Sequence, residues 1–208
     1  MRTPIRRSPA AHAAAGRGAV FVEESGWELP ASHGDDERER GTLLETIAIA
    51  DLTPRAKVDV RGRIEVALPA AAGALVARIA DDWALVLGAP GEEARLVPAL
   101  EAAAGSAAMV TDATHLFAGF ALAGPRLPEL LSRVTSWDPA SLGPGLATGA
   151  PIVDVRAVLV RRDLPVSILE VYVATEYARY AWEQLVDVVE QLGGGPVGWQ
   201  ALRAQGWR

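Results

Sequence analysis

The feature that most constrains the fold is the order in which strand-like and helix-like patterns follow one another. Along most of the chain, two strand-like segments are followed by one helical segment, and this unit recurs three times. Strand pairs that alternate with single helices are typical of antiparallel sheets with helices against them. The sequence therefore predicts an α+β fold of largely antiparallel sheets, with the helices packed on one face.

The clearest strand pattern lies at residues 57–68, where Val58, Val60, Ile64 and Val66 alternate with polar or charged residues. Alternation with a period of two indicates a half-buried strand or hairpin, in which Gly62 is a bulge or a turn. Shorter apolar runs predict the remaining strands, at residues 20–22, 47–52, 74–79, 83–87, 108–111, 116–122, 151–160 and 167–173.

The clearest helix is predicted after Thr175, which is a suitable N-cap, and it ends at Gly193, a residue favoured just past a helix end. Its apolar residues recur at helical spacing on one face. Pro98 predicts either a break in the helix expected over residues 92–104 or a start late enough to place Pro98 in the first turn, because proline removes a backbone donor and clashes with the preceding turn. Other helices are predicted at residues 35–46, 127–134 and 197–204, and loops at 23–34 and 136–150.

Composition excludes several classes of protein. The 208 residues suit one domain or two small ones, and half of them are hydrophobic, which is ample for a core. A net charge of -6 disfavours binding to nucleic acid, which relies on many Lys and Arg contacts to phosphate. The absence of cysteine excludes disulfides, iron–sulfur clusters, thiolate zinc sites and a cysteine nucleophile.

The N-terminal composition bears on location. Residues 1–18 contain four arginines and no continuous apolar stretch, so they are interpreted as a flexible lead and not as a secretory signal. No apolar run approaches the roughly 20 residues that a membrane-spanning helix needs. The sequence therefore predicts a cytoplasmic chain that binds neither membrane nor nucleic acid.

Catalytic signatures are scarce. There is no nucleophile elbow, no P-loop and no dinucleotide fingerprint after a strand. The three histidines, His12, His33 and His115, do not share metal-ligand spacing, so no metal site is predicted. Glu170 is the one unusual acid, because it lies in the middle of a predicted strand, where burial without partners is costly. Its spacing alone favours an outward-facing position.

Several stretches, in order along the chain, resemble motifs of the aminomethyltransferase family, which includes the T-protein of the glycine cleavage system. Relatives of that family include folate-binding demethylases and subunits of heterotetrameric sarcosine oxidase. The most specific stretches are Gly26-Trp27-Glu28-Leu29-Pro30 and Leu122-Ala123-Gly124-Pro125. The others are Ser8 to His12 with Val20 to Val22, Ile49 to Val58, Leu169 to Val173, Trp182 to Leu185 and Pro196 to Leu202.

The resemblance implies a folate-binding domain over residues 19–208, without the C-terminal barrel domain of full aminomethyltransferases. Glu170 matches the carboxylate that contacts the pterin ring of folate in the family. With Tyr172 and Arg203 it forms the predicted folate-like pocket. After Val66 the chain lacks the block that carries the catalytic aspartate of the family, so no catalytic residue is predicted.

Three hypotheses of function follow from this resemblance. The first is a non-catalytic, gamma-type subunit of a sarcosine oxidase-like heterotetrameric flavoenzyme, with FAD, FMN and NAD bound by partner subunits. Tryptophan is enriched at interface hot spots, so this hypothesis predicts exposed interface positions for Trp27, Trp137, Trp199 and Trp207. The alternative for each is ordinary partial burial. The second is a tetrahydrofolate-binding protein or one-carbon transferase that acts alone. The third is a binding module unrelated to folate that keeps only the scaffold.

Overall fold

The computed structural model describes residues 4–208 and contains two main β-sheets and a separate hairpin. The strands are β1 (Val20–Glu24), β2 (Trp27–Ser32), β3 (Ala48–Asp51), β4 (Ala56–Gly62), β5 (Leu75–Ala80), β6 (Trp83–Gly88), β7 (Ala108–Asp112), β8 (Phe117–Ala123), β9 (Ala147–Ile152), β10 (Val155–Arg161), β11 (Ile168–Ala174) and β12 (Gly195–Pro196).

Seven α-helices accompany these strands in the described residues. They are α1 (Ala11–Ala15), α2 (Asp36–Glu45), α3 (Ile64–Ala67), α4 (Glu93–Ala104), α5 (Leu127–Val134), α6 (Ala178–Gln191) and α7 (Trp199–Ala204). Short 3-10 turns occupy Leu68–Ala70, Pro139–Ser141 and Thr175–Tyr177.

The two main sheets stack face to face, and each carries helices on its outer face. The six-stranded sheet has the order β12-β3-β8-β11-β10-β9, and the four-stranded sheet has the order β5-β6-β4-β7. All neighbouring strands of these sheets run antiparallel except β12 and β3. Helices α5 and α6 pack on the first sheet, while α3 and α4 pack on the second. The predicted α+β class is confirmed.

The inner faces of the two sheets meet in a layer that positions the candidate site. We call it the inter-sheet layer, and its buried apolar core consists of Ala77, Leu85, Leu87, Ala113, Val158, Val160 and Tyr172. Side chains alternate along each strand, so β10 directs Val158 and Val160 inward while Val155, Ala157 and Leu159 pack beneath the helices. Strands predicted from short apolar runs, such as β10, are thus buried on both faces.

Several local predictions were wrong. The expected loop at 23–34 contains β2, and the expected loop at 136–150 contains the start of β9. The alternating segment at 57–68 is a strand only as far as Gly62, where φ is +108°, and a helical turn follows. In the two expected loops, strand pairing outweighs the local composition. In the alternating segment, the positive φ of Gly62 ends the strand.

Three predictions about helices α4 and α6 can be compared with the structure. Helix α4 runs through Pro98 without a break, because the buried contacts of Leu96 and Leu100 compensate for one missing hydrogen bond. Thr175 does not cap α6; its hydroxyl donates to the carbonyl of His115 at 2.7 Å. Gly193 does end the helix, with φ of +72°.

The segment interpreted as a flexible lead is ordered where it is described. Residues 1–3 lie outside the described residues, but residues 11–15 form α1, and Ala10 and Ala14 are completely buried against the helical side of the six-stranded sheet. Arg6 forms an isolated bridge with Trp27. Small side chains allow this close packing, and the sequence pattern did not reveal it because the segment has too few apolar residues to show a period.

A pair of adjacent glycines tests how closely β12 approaches β3. A Cβ on Gly194 would lie 1.8 Å from the carbonyl oxygen of Ile47, whereas a Cβ on Gly195 would meet nothing within 4 Å. We expect Gly194→Ala to lower the free energy of unfolding by about 3 kcal/mol, because the backbone must move apart. Gly195→Ala is the matched control and should change it by only about 0.5 kcal/mol. Equal effects in urea unfolding would contradict this packing.

Candidate functional site

The candidate site is the closed end of the inter-sheet layer, where the Glu170 side chain is completely buried. Its Oε1 accepts hydrogen bonds from Arg55 Nη1 at 3.0 Å, Trp207 Nε1 at 2.7 Å and Arg162 Nη1. Its Oε2 accepts from Arg55 Nη1 at 2.9 Å and from the Tyr172 hydroxyl at 2.6 Å. A carboxylate offers about four lone-pair positions, so five contacts leave no acceptor position free.

Arg55, in the loop between β3 and β4, is the principal partner of this carboxylate and is 2% exposed. Its Nε and Nη2 donate to the carbonyls of Gly88 at 3.3 Å and Leu87 at 3.4 Å, both at the end of β6. Its guanidinium also lies 5.1 Å from the ring centroid of Trp207. Arg55 therefore ties a strand of each sheet together, with every contact buried or nearly so.

Charges around Glu170 overcome the effect of burial on its ionisation. Burial alone would raise the pKa of Glu170, but Arg55 and Arg162 outweigh it and hold the pKa below its ordinary value. Burial and the neighbouring carboxylate raise the pKa of Tyr172 well above its ordinary value, so Tyr172 stays a hydrogen-bond donor. The cluster is a fixed ion pair with neutral donors, and none of these groups is poised to exchange a proton near neutral pH.

Lys57, the chain's only lysine, lies next to this cluster and is completely buried. Its ammonium donates to the carbonyls of Thr53 at 2.8 Å and Arg55 at 2.6 Å. Burial, followed by the charge of Arg55, lowers the pKa of Lys57 to about 7. Asp51 is nearby and equally buried, and burial raises the pKa of its carboxyl group.

The predicted folate-like pocket is only partly assembled. Glu170 and Tyr172 are in contact, and the expectation that Glu170 faces outward is wrong, because Arg55 and Trp207 cover its side chain. Arg203 does not reach either residue. It pairs with Glu24 at 2.9 Å, and its guanidinium lies 5.1 Å from the ring centroid of Trp199.

A shallow cavity of about 370 Å³ lies on the outer side of this cluster. It is lined by Arg55, Ala89, Trp199, Arg203, Trp207 and Arg208. The Trp199 and Trp207 rings meet edge to face at 5.0 Å, and Trp207 lies between the cavity and Glu170. The Glu170 carboxylate is therefore screened from this cavity by Trp207.

The four tryptophans proposed as interface residues are not exposed as expected. Trp27, Trp199 and Trp207 are each 2% exposed, and Trp27 stacks on His115 with 5.3 Å between ring centroids. Trp137 is partly buried and lines an apolar cavity of about 310 Å³ beside α5. Three of the four large rings thus serve the interior of the chain.

Sequence reasoning missed Arg55 and Arg162, the two cations that determine the chemistry of the site. Arg55 carried one usable signal, since it lies between two apolar strands where a charged residue needs a buried partner. The partner itself is 115 positions away and could not be identified from spacing. Among residues 4–208 no group of three or more potential metal ligands is found, and no helix is long and apolar enough to cross a membrane.

The buried lysine makes a direct titration possible. We expect the single Lys57 Cε resonance of protein labelled with 13C-lysine to titrate with a midpoint near pH 7, because burial disfavours the ammonium. Between this pH and the ordinary lysine pKa of 10.5 the unfolded chain binds one more proton, so the free energy of unfolding should rise with pH by up to about 1.4 kcal/mol per pH unit.

Lys57→Met provides the control for this slope, since it removes the titrating group and keeps a long side chain. Between pH 7.5 and about 9.5, the free energy of unfolding of Lys57→Met should therefore rise less steeply with pH than that of the parent chain. A Lys57 midpoint near 10.5, or an equal slope in the variant, would contradict the buried position of the ammonium.

The ion pair predicts a large effect of removing the Glu170 charge. Glu170→Gln should lower the free energy of unfolding by about 3–5 kcal/mol at pH 7, because it leaves buried arginines without a counter-charge. Glu129→Gln, which alters an exposed carboxylate that also pairs with two arginines, is the matched control and should have a much smaller effect.

The Arg55–Glu170 ion pair also predicts how the stability difference between the parent chain and Glu170→Gln depends on pH. The pKa of Glu170 is lower in the folded chain, so its stabilising contribution is present above its ordinary pKa of 4.5 and is lost as the pH falls through the folded value. The gap in free energy of unfolding between the parent chain and Glu170→Gln should therefore narrow as the pH falls below 4.5. A gap that stays constant down to acid unfolding would show that Glu170 is not ionised.

Comparisons with known proteins support the fold and not a specific activity. No family model matches the chain, and no curated protein matches it either. Among solved structures, the glycine cleavage system aminomethyltransferase T from Bartonella henselae is similar with a TM-score of 0.80 and 17% identity. The match covers 97% of this chain but only 62% of that enzyme.

A chain of the heterotetrameric sarcosine oxidase from Corynebacterium sp. U-96 is also similar, with a TM-score of 0.67 and 17% identity. Here the match covers 91% of this chain and 97% of the other, so the two are alike in extent. The resemblance inferred from the motifs is confirmed at the level of fold: the chain has the architecture shared by aminomethyltransferase T and this sarcosine oxidase chain.

Proposed function

We propose that this chain is a non-catalytic, gamma-type subunit of a sarcosine oxidase-like heterotetrameric flavoenzyme. The observation that carries the proposal is the saturation of Glu170 by Arg55, Arg162, Tyr172 and Trp207. In the family that the motifs resemble, the matching carboxylate contacts the pterin ring of folate. A carboxylate that accepts five hydrogen bonds from these four side chains has no acceptor position left for that ring.

The sequence departures support the same proposal. The motif with the catalytic aspartate of aminomethyltransferases is not found between Val66 and β5, where Gly73 is followed by Ala74, Leu75 and Val76. Without a carboxylic acid there, this region offers no general acid or base for folate chemistry. The match to nearly the whole of one sarcosine oxidase chain is a further argument for a role inside such an assembly.

In this proposal the redox cofactors belong to other subunits. FAD, FMN and NAD would be bound by the partners, and this chain would contribute surface and rigidity. The buried Arg55–Glu170 pair suits that role, because a satisfied internal ion pair fixes one arrangement of the two sheets. The burial of Trp27, Trp199 and Trp207 means that the subunit contacts would be made by other residues.

The alternative is a chain that binds tetrahydrofolate by itself. Such binding would require Arg55 and Trp207 to leave Glu170, at a cost of several kcal/mol for uncovering a buried charge. The observation that favours this alternative is the cavity beside Trp207, which adjoins the Glu170 cluster and is also lined by Arg55 and Arg203.

Calorimetric titration with tetrahydrofolate distinguishes the two functions. We expect no saturable binding by the purified chain, because the carboxylate that would hold the pterin is already bonded. Trp199→Phe, which keeps the Glu170 cluster and reduces the outer cavity wall, is the control for weak stacking in the cavity. Micromolar binding that is lost in Glu170→Ala but retained in Trp199→Phe would overturn the proposal in favour of the alternative.

Purification of the chain from its native source tests the assembly directly. A tag on the chromosomal copy should recover a complex with the visible absorbance of flavin and with sarcosine-dependent oxygen consumption. Removal of the other subunits should leave a chain without that absorbance, since no flavin is assigned to it. Recovery of a lone chain without flavin would contradict the proposed role.

A further inference from the structure

The inter-sheet layer is closed at the Glu170 end, and its other end is open and forms a cavity. This open cleft has a volume of about 780 Å³ and is lined by residues of β5, β6, β9 and β10. Cavities of 300–1,000 Å³ are typical of sites for small organic ligands. Its wall residues include Arg61, Ile79, Trp83, Phe117, Arg156 and Tyr177.

The aromatic wall of the open cleft is held in place by neutralised polar contacts. The Trp83 indole donates to Asp59 Oδ1 at 2.6 Å, and Arg61 Nε donates to Asp59 Oδ2 at 2.9 Å. The Arg61 guanidinium lies 4.1 Å from the Trp83 ring centroid. Because Asp59 satisfies both groups, this wall presents flat rings and no unbalanced charge.

Arg156 supplies the charge that the wall lacks. Residues 156, 158 and 160 of β10 share one face, and Val158 and Val160 pack in the inter-sheet layer, while Arg156 lines the open cleft. Within residues 4–208 no carboxylate lies within salt-bridge distance of Arg156, unlike Arg61. Asp154 also lines the open cleft and would repel a ligand that carries several negative charges.

We propose that the open cleft binds a planar aromatic monocarboxylate, with its ring against Trp83 and its neighbours and its carboxylate on Arg156. Guanidinium and carboxylate form strong charge-assisted hydrogen bonds, and flat rings gain most from an aromatic wall. Tyr172 contributes to the base of the open cleft and also donates to Glu170. The ligand site is therefore separate from the Glu170 carboxylate but shares one side chain with it.

Calorimetric titration of the full chain with 2-naphthoate and 2-naphthamide tests this site. The two probes have the same ring system and differ in charge. We therefore expect saturable binding of naphthoate, and an affinity for the amide that is lower by at least about tenfold. Arg156→Gln should reduce naphthoate affinity to that of the amide. Arg179→Gln, which alters an exposed arginine of α6, is the matched control and should leave both affinities unchanged.

A second variant tests the location without altering charge. Ala174 is on the same face of β11 as Tyr172 and lines the open cleft, so Ala174→Trp should abolish binding of both probes by filling it. Circular dichroism of each variant verifies that it is folded. The proposal would be overturned by any of three results: no saturable naphthoate binding, equal affinities for the two probes, or full naphthoate affinity in folded Arg156→Gln. A protein segment would then be the occupant of the open cleft to test.

Discussion

The buried ion pair between Arg55 and Glu170 is the interaction on which the arrangement of the two sheets depends. Glu170 belongs to the six-stranded sheet, and Arg55 also bonds the carbonyls at the end of β6 in the four-stranded sheet. Burying two charges yields little net stability compared with apolar packing, but removing either one is costly. The pair therefore specifies how the sheets meet more than it adds to the free energy of folding.

This pair also gives the resemblance to aminomethyltransferases a different meaning. The carboxylate that the motifs match to a pterin contact is present, but its partners are internal to the chain. A residue can thus match a motif position while its own hydrogen bonds are all made within the chain, here to Arg55 and Arg162 among others. Fold similarity alone would not have separated a binding site from a structural cluster.

The inter-sheet layer has two ends with opposite properties. At the closed end, the charge of Glu170 is buried and paired, and Trp207 and Tyr172 cover it. At the open end, the wall is aromatic and Arg156 lacks a carboxylate partner within the described residues. A rigid scaffold with a formed cleft is compatible with a subunit that contributes structure to an assembly and also holds a small ligand.

The sequence by itself determined the alternation of strands and helices, the α+β class and the family that the motifs resemble, because periodicity and turn residues are local properties. It also identified Glu170 as an unusual acid. Only the tertiary structure decided that Glu170 is buried, that Arg55 and Arg162 neutralise it, and that Trp27, Trp199 and Trp207 are internal. The main outcomes depend on contacts between distant parts of the chain, such as that of Arg55 with Glu170 at a separation of 115 positions, which no local pattern records.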